Sequence, residues 1–384
     1  MIALRSWIVA AVTTCTVLLV STSTIAAWNA RPAATVRGSN FGTLTNKMLL
    51  SPVTLTRIMS QVCDDDPTEM RPESDIDIIN GCLLTDEYRT SYLERIGFSK
   101  EEVNDLISSP PDLAKLQKIL TAHLTTVPFE NMDQIEHPSH GDTPLIPRRS
   151  PKQLPSLNVY KSLEKIIFKK RGGFCFELNF TFRLLLSSLG YRTRLVLADV
   201  ACSQPVPGHV VILVDDVLDI DEIVNANVPV LVDVGFGDPG VCDIILPVQY
   251  NVPKKDTHGD LFEFRVDNDA DGSDRFDTQL CRTRIRIGAK GEAEGEEEKM
   301  YRFRLDDDMD MAAAEFSDGL DRVLFTSPTF NGKRICVLSD NRGHVTLGKD
   351  YIKWVEKGES VKRIELPTET HWRAALKDHF GVTL

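Results

Sequence analysis

The sequence predicts an α+β fold in three sections: helices first, a sheet or barrel second, a small mixed α/β unit last. Apolar residues step by three and four before Gly190, as on buried helix faces. Short Val/Leu/Ile runs follow, then segments alternating apolar with charged residues, which read as strands. A closing stretch, TETHWRAALKDHFGVTL, returns to helical spacing.

Ordered structure is expected from about Thr85. In TDEYRTSYLERIGF, Tyr88, Tyr92 and Ile96 share one helical face; Asp86 is the expected cap and Gly97 the expected stop. DLAKLQKILTAHL gives a second helix that Pro128 stops, with Leu113, Leu116, Ile119, Leu120 and Leu124 on its buried face. PSLNVYKSLEKIIFKK gives a third and CFELNFTFRLLLSSLG a fourth, so residues 85–190 form a helical bundle. RTRLVLADVA, HVVILVDDV, VPVLVDVGFG, LFEFRV, TRIRIGA and MYRFRL are strands of the section 191–310. Between them, DNDADGSD and GAKGEAEGEEEK read as solvated acidic loops. In 311–384, KRICVLSD, GHVTLGKD and SVKRIELP add three strands, and a helix capped near Thr368 closes the chain.

Two segments precede the bundle. WIVAAVTTCTVLLV, after Arg5, and the small-residue stretch behind it have the layout of a signal peptide or anchor over residues 1–30. That layout makes membrane association through this segment an expectation. The absence of Asp and Glu before Asp64, with many Ser, Thr and Arg, equally suits an organelle transit peptide. Residues 31–84, with CDDDPTEMRPESDIDI, read as a weakly structured linker.

Composition excludes some functions. The 384 residues carry a net charge of −12, which argues against a nucleic-acid binder. Eight cysteines are scattered with no C-x-x-C pair and no Cys/His cluster at zinc spacing, so no metal is expected and the thiols read as mostly reduced.

Cys175 is the first candidate for chemistry. Gly172 and Gly173 turn the chain before an apolar helix, placing Cys175 in its first turn. There the open backbone N–H groups and the positive end of the helix dipole favour a thiolate. Inert packing of a small buried residue is the plain alternative. His209 opens the run VVILV after PVPG, where a side chain can be anchored and still face a cavity. Asp233 interrupts VPVLVDVGFG, a strand expected to be buried on both faces. A carboxylate there needs a partner, either an arginine or a histidine that serves the cysteine.

These residues carry a resemblance. RGGFCFELN, a histidine opening a strand, and LVDVGFG resemble the arylamine N-acetyltransferase family; YLERIGF, HLTTVPFENMD and the stretch from Phe325 to Leu384 are also similar. The resemblance implies a helical bundle, an antiparallel β-barrel and an α/β lid around a cysteine-protease-like Cys-His-Asp core. It implies Cys175 as acetyl-accepting nucleophile, His209 as base and Asp233 as its orienting carboxylate. Phe236 and Phe129 would line the acceptor pocket, and Pro207 and Gly208 would lie along coenzyme A. Arg171 and Glu130 would pair to support the cysteine loop. Gly235, Gly237 and Gly240 form a G-x-G-x-x-G with no helix pattern behind it, so it reads as a tight turn rather than a dinucleotide site, with Gly235 and Gly237 supporting the site.

The implied reaction is ping-pong acetyl transfer from acetyl-CoA, a co-substrate rather than a bound cofactor, to an arylamine or hydrazine, by a monomer working in the cytoplasm. The N-terminal extension departs from that picture. So do the long His209–Asp233 connection and the acidic insertion at 267–299. Two rivals differ in class: a thiol hydrolase or transglutaminase-like enzyme using the same triad logic, and a membrane-tethered binding protein.

Overall fold

The computed structural model describes residues 83–136, 145–146, 156–200, 207–217, 228–237, 242–267, 276–287, 293–307, 314–325 and 333–384. The expected signal, anchor or transit segment (1–30) and nearly all of the expected linker lie outside these residues, as does most of DNDADGSD. Among the described residues, no helix is long and apolar enough to cross a membrane.

The helical section holds α1 (Asp86–Arg95), α2 (Lys100–Ser108), α3 (Leu113–Leu124), the short strand β1 (Phe129–Glu130), α4 (Met132–Glu136), the paired strands β2 (Leu145–Ile146) and β3 (Ser156–Leu157), α5 (Val159–Ile167) and α6 (Cys175–Ser188). Thr85, not Asp86, caps α1: its Oγ1 accepts the Tyr88 N–H at 3.3 Å, while Asp86 sits in the first turn and pairs with Arg89 at 2.7 Å. Helix α2 is absent from the sequence reading, yet S-K-E-E marks it. Ser99 Oγ accepts the Glu102 N–H and Glu102 Oε2 accepts the Ser99 N–H, a reciprocal capping box.

Helix α6 is the centre of this core. Phe176, Leu178, Phe180, Phe182, Leu185 and Leu186 have no exposed surface, which explains its nearly all-round apolar sequence. Burying each such side chain stabilises the fold by roughly 1.5–3 kcal/mol.

An eight-stranded antiparallel sheet follows in the order β7-β6-β5-β4-β11-β10-β9-β8. Its strands are β4 (Arg192–Val200), β5 (His209–Asp215), β6 (Val230–Val232), β7 (Leu246–Pro247), β8 (Lys254–Lys255), β9 (Leu261–Val266), β10 (Thr278–Ile287) and β11 (Ala293–Phe303). The two edge strands, β7 and β8, are consecutive in the chain. Between them Tyr250 bridges Phe264, and the Asn251 N–H reaches the Phe264 carbonyl at 2.8 Å. The edges therefore curl together into a nearly closed barrel.

Val196, Ala198, Val211, Leu213, Phe262, Leu280 and Phe303 fill the barrel. The alternate residues Leu195, Leu197, Val210, Ile212 and Val214 face the helical core. Two buried faces account for the unbroken apolar runs of β4 and β5.

One acidic loop of the sequence reading is a strand. Residues from Ala293 to Lys299 belong to β11 and lie opposite the arginines of β10, with Arg284 across from Glu296 and Arg282 across from Glu298. Arg282 bonds Glu298 at 2.6 Å and Arg265 bonds Glu297 at 2.7 Å. Composition alone made this segment look like a loop; cross-strand charge pairing makes it a strand.

In the last section, α7 (Ala314–Phe325) packs Phe316, Leu320 and Val323 into the helical core. The sheet then has four new strands rather than three: β12 (Cys336–Asp340), β13 (Gly343–Leu347), β14 (Tyr351–Glu356) and β15 (Glu359–Glu365). The strand missed in sequence, β14, is tied to β15 by a two-residue turn in which Lys357 and Gly358 both have positive φ, 49° and 76°. Helix α8 (Glu369–Phe380), capped by Thr368, covers the sheet with Trp372, Leu376 and Phe380. The fifth strand is β1, which pairs Phe129 with Val337 and Glu130 with Cys336.

Candidate active site

Three elements meet at the candidate site: the start of α6, the start of β5 and the segment after β6. Cys175 is the first residue of α6 and is 3% exposed. Its thiol lies 4.0 Å from the carbonyl of Gly208, the residue just before His209. His209 is the first residue of β5, and its Nε2 lies 2.7 Å from Asp233 Oδ2. With Nε2 engaged by the carboxylate, Nδ1 is the nitrogen left for sulfur.

Burial alone would lower the His209 pKa. The Asp233 carboxylate outweighs it and, with the contact to Cys175, pushes the imidazole up to about 10. Burial would likewise raise Asp233, but the His209 charge, the Asn179 amide and the Gly235 N–H hold it below its ordinary value. The pair is thus an imidazolium and a carboxylate at neutral pH. An arginine partner for Asp233, the other option left open by the sequence, is not what the structure contains.

Asn179 stands one turn beyond Cys175 on α6 and locks the three elements together. Its Nδ2 donates to the Val210 carbonyl at 2.7 Å and to Asp233 Oδ1 at 2.9 Å, and its Oδ1 accepts the Val234 N–H at 3.0 Å. Tyr301 of β11 closes over the pair, its buried ring 5.4 Å from that of His209 and 5.5 Å from that of Phe236. Sequence reasoning missed both residues. Asn179 had a signal, a polar side chain four residues after the cysteine in an apolar helix. Tyr301 had none, because β11 reaches Asp233 only through barrel closure.

The other candidate residues fall around this centre. Phe236 is half-buried and stands edge-on to His209 at 5.5 Å. Phe129 is buried, with its ring against Gly237. Gly208 faces Cys175, whereas Pro207 is buried and its carbonyl packs against Gly319 of α7. Gly240 lies outside the described residues.

The loop before Cys175 is held from two sides. The Glu130 N–H donates to the Gly173 carbonyl at 2.8 Å, and a Cβ on Gly172 would stand 1.7 Å from the Pro128 carbonyl oxygen. Arg171 bonds Glu130 at 2.8 Å and Asp133 at 2.6 Å.

The sequence model of a family described as N-acetyltransferase matches residues 112–384. Among curated relatives, the arylamine N-acetyltransferase of Mycobacterium bovis is 31% identical over 152 residues, 38% of this chain and 44% of that protein. The arylamine N-acetyltransferase / N-hydroxyarylamine O-acetyltransferase of Salmonella typhimurium is 30% identical over 153 residues, 39% of this chain and 46% of that protein. The alignments thus span under half the length of these relatives.

Among solved structures, the Salmonella typhimurium arylamine N-acetyltransferase superposes with a TM-score of 0.58 at 21% identity, covering 78% of this chain and 92% of that one. The Mycobacterium marinum enzyme, solved in complex with CoA, gives 0.56 at 20% identity, covering 76% and 92%. A Bacillus cereus member, described with a unique Cys-His-Glu triad, gives 0.56 at 19%, covering 78% and 100%. This chain belongs to the arylamine N-acetyltransferase family, a family of acyltransferases.

Proposed function

We propose that the protein moves an acetyl group from acetyl-CoA to an arylamine or hydrazine through an acetyl-Cys175 intermediate. The single observation that carries this reading is the meeting of three residues: the Cys175 thiol 4.0 Å from the carbonyl that precedes His209, and His209 Nε2 2.7 Å from Asp233.

The chemistry runs in two displacements. Cys175, its proton held by His209, attacks the thioester carbonyl. Backbone N–H groups at the start of α6 stabilise the oxyanion, the bond to the coenzyme A sulfur breaks, and the leaving thiolate takes the proton from His209. The donor's pantetheine arm passes Gly208. The acceptor amine then attacks the acetyl carbonyl with its ring against Phe236. His209 takes the amine proton, the bond to Cys175 Sγ breaks, and the amide leaves. Asp233 keeps the imidazole oriented and charged, with the Asn179 amide and the Gly235 N–H holding the carboxylate.

The test is turnover of acetyl-CoA with an arylamine panel, run beside Cys175→Ala. Appearance of the N-acetyl product with the natural chain and its loss in the variant is the expected result. Equal turnover by the two would refute the assignment, and thioester hydrolysis without N-acetylation would favour a thiol hydrolase.

A further inference from the structure

The nucleophile's helix is anchored by a buried charge cluster that the mechanism does not use. Lys165 of α5 is 3% exposed, and its ammonium lies 2.8 Å and 2.9 Å from the two carboxylate oxygens of Glu177. The same ammonium reaches Asp133 of α4 at 3.0 Å and Glu130 of β1 at 3.8 Å. Arg171 supplies the second cation, through Glu130 and Asp133. Ser162 of α5 completes the surroundings of Glu177, at 3.5 Å from Oε1.

Glu177 is two residues past Cys175 and its carboxylate folds back over the start of α6. Oε2 accepts the N–H of Phe174, the residue just before the cysteine, at 3.2 Å. A Cβ on Gly173 would stand 2.8 Å from that carboxylate, so the loop is pressed against it. The carboxylate is therefore the clamp on the first turn, and Lys165 is what makes an ionised clamp tolerable in a buried place.

We propose that Lys165 and Glu177 are a positioning pair for the nucleophile: the ammonium keeps the carboxylate ionised and accepting, which fixes the first turn of α6 and sets the reactivity of Cys175. Three carboxylates face two cations in this cluster, so one acid is close to giving up its charge. Burial pushes Glu177 up, Lys165 pulls it back, and Asp133 and Glu130 push it up again, leaving it near 7, against an ordinary 4.5. Lys165 is itself held well above its ordinary value by Glu177, Glu130 and Asp133, against the opposing effect of burial. Without Lys165, Glu177 is an unbalanced negative charge in the buried cluster that anchors the first turn of α6, and the strain of holding it there loosens that turn and slows the nucleophile.

The test follows alkylation of Cys175 by iodoacetamide in the full chain, read on the Cys175 peptide by mass spectrometry. Lys165→Met is expected to slow the reaction at neutral pH about tenfold. Adding Glu177→Gln is expected to recover it to within about threefold of the natural chain, because glutamine keeps an oxygen for the Phe174 N–H and leaves no unbalanced carboxylate. A Lys165→Met rate within about twofold of the natural one overturns the proposal, as does a double variant as slow as the single, which is the result lost packing alone would give.

Should Lys165→Met fail to fold, Glu177→Gln alone is informative. It should remove a step from the pH profile of alkylation near neutrality, and an unchanged profile overturns the proposal. The proposal rests on Cys175 being the nucleophile of the transfer reaction. Arylamine turnover by the natural chain tests that reading, and the alkylation series tests the pair, so either can fail alone.

Discussion

Gly235 lies directly against Cys175: a Cβ at residue 235 would stand 2.6 Å from the Cys175 Cα and 2.8 Å from the Asn179 amide nitrogen. The nearest atom it meets is backbone, and the Asn179 side chain beside it is held by its own hydrogen bonds, so neither can readily swing aside. Gly235→Ala should move the segment carrying Asp233 off α6. The expected outcome is a destabilisation of about 1–3 kcal/mol in denaturant unfolding. With it should come a fall in kcat/KM for acetyl transfer of about a hundredfold or more. A variant with near-natural turnover would show that the contact does not hold the site.

Asn179→Ala removes three hydrogen bonds at once and leaves the Val234 N–H and the Val210 carbonyl without their partner in a buried place. Unfolding free energy should drop by about 1–3 kcal/mol, and kcat by about tenfold as Asp233 loses its register. Asn179→Asp, which sets a second carboxylate beside Asp233, should be worse in both assays.

The His209–Asp233 pair should make stability depend on pH at both ends. His209 is raised from 6.5 to about 10 in the fold, so its contribution is fully present below 6.5 and fades as pH climbs toward 10. Asp233 is lowered, so its contribution is present above its ordinary value of 3.8 and is lost as the medium becomes acid enough to protonate it in the fold. Thermal melts at rising alkaline pH should lose Tm in the natural chain and lose less in Asp233→Asn. The same variant should alkylate at Cys175 more slowly at neutral pH, because the imidazole is no longer held charged.

His123 supplies a separate acid effect. It is fully buried on α3, its ring 4.7 Å from Phe182, with Tyr92 Oη 3.5 Å from Nδ1. Among the described residues its Nε2 has no hydrogen-bond partner. Burial, with Arg95 adding to it, holds its pKa down near 3. The unfolded chain takes up this proton from about pH 6.5 downward and the folded chain does not, so stability should decline between 6.5 and about 3. His123→Phe should flatten that decline in urea unfolding midpoints, and an equally steep decline in the variant would assign the effect elsewhere.

Sequence alone pointed to the three residues that meet at the candidate site and to less of the fold. Cys175, His209 and Asp233 announced themselves as polar or reactive residues placed where local structure changes, and a helix start and a strand start are local features. Asn179 was within reach by the same logic. Tyr301 was not, since its approach to Asp233 depends on strands far apart in sequence closing a barrel. Residues from Ala293 to Lys299 misled for a related reason: a run of glutamates looks like a loop until the arginines opposite it are known. Lys165 looked like one of two ordinary lysines on α5, and only the tertiary structure shows three carboxylates converging on it.

Strand β1 joins parts of the chain made at very different times. Phe129 and Glu130 touch Gly173 of the cysteine loop on one side and Cys336 and Val337 on the other. A chain still growing on a ribosome has all of Cys175, His209 and Asp233 long before residue 337 emerges. Until then β1 has one open edge, and the loop it braces is supported from one side only. The loop before Cys175 is therefore braced late, by residues from the far end of the chain, and a product cut short before β12 would carry Cys175, His209 and Asp233 without that backing.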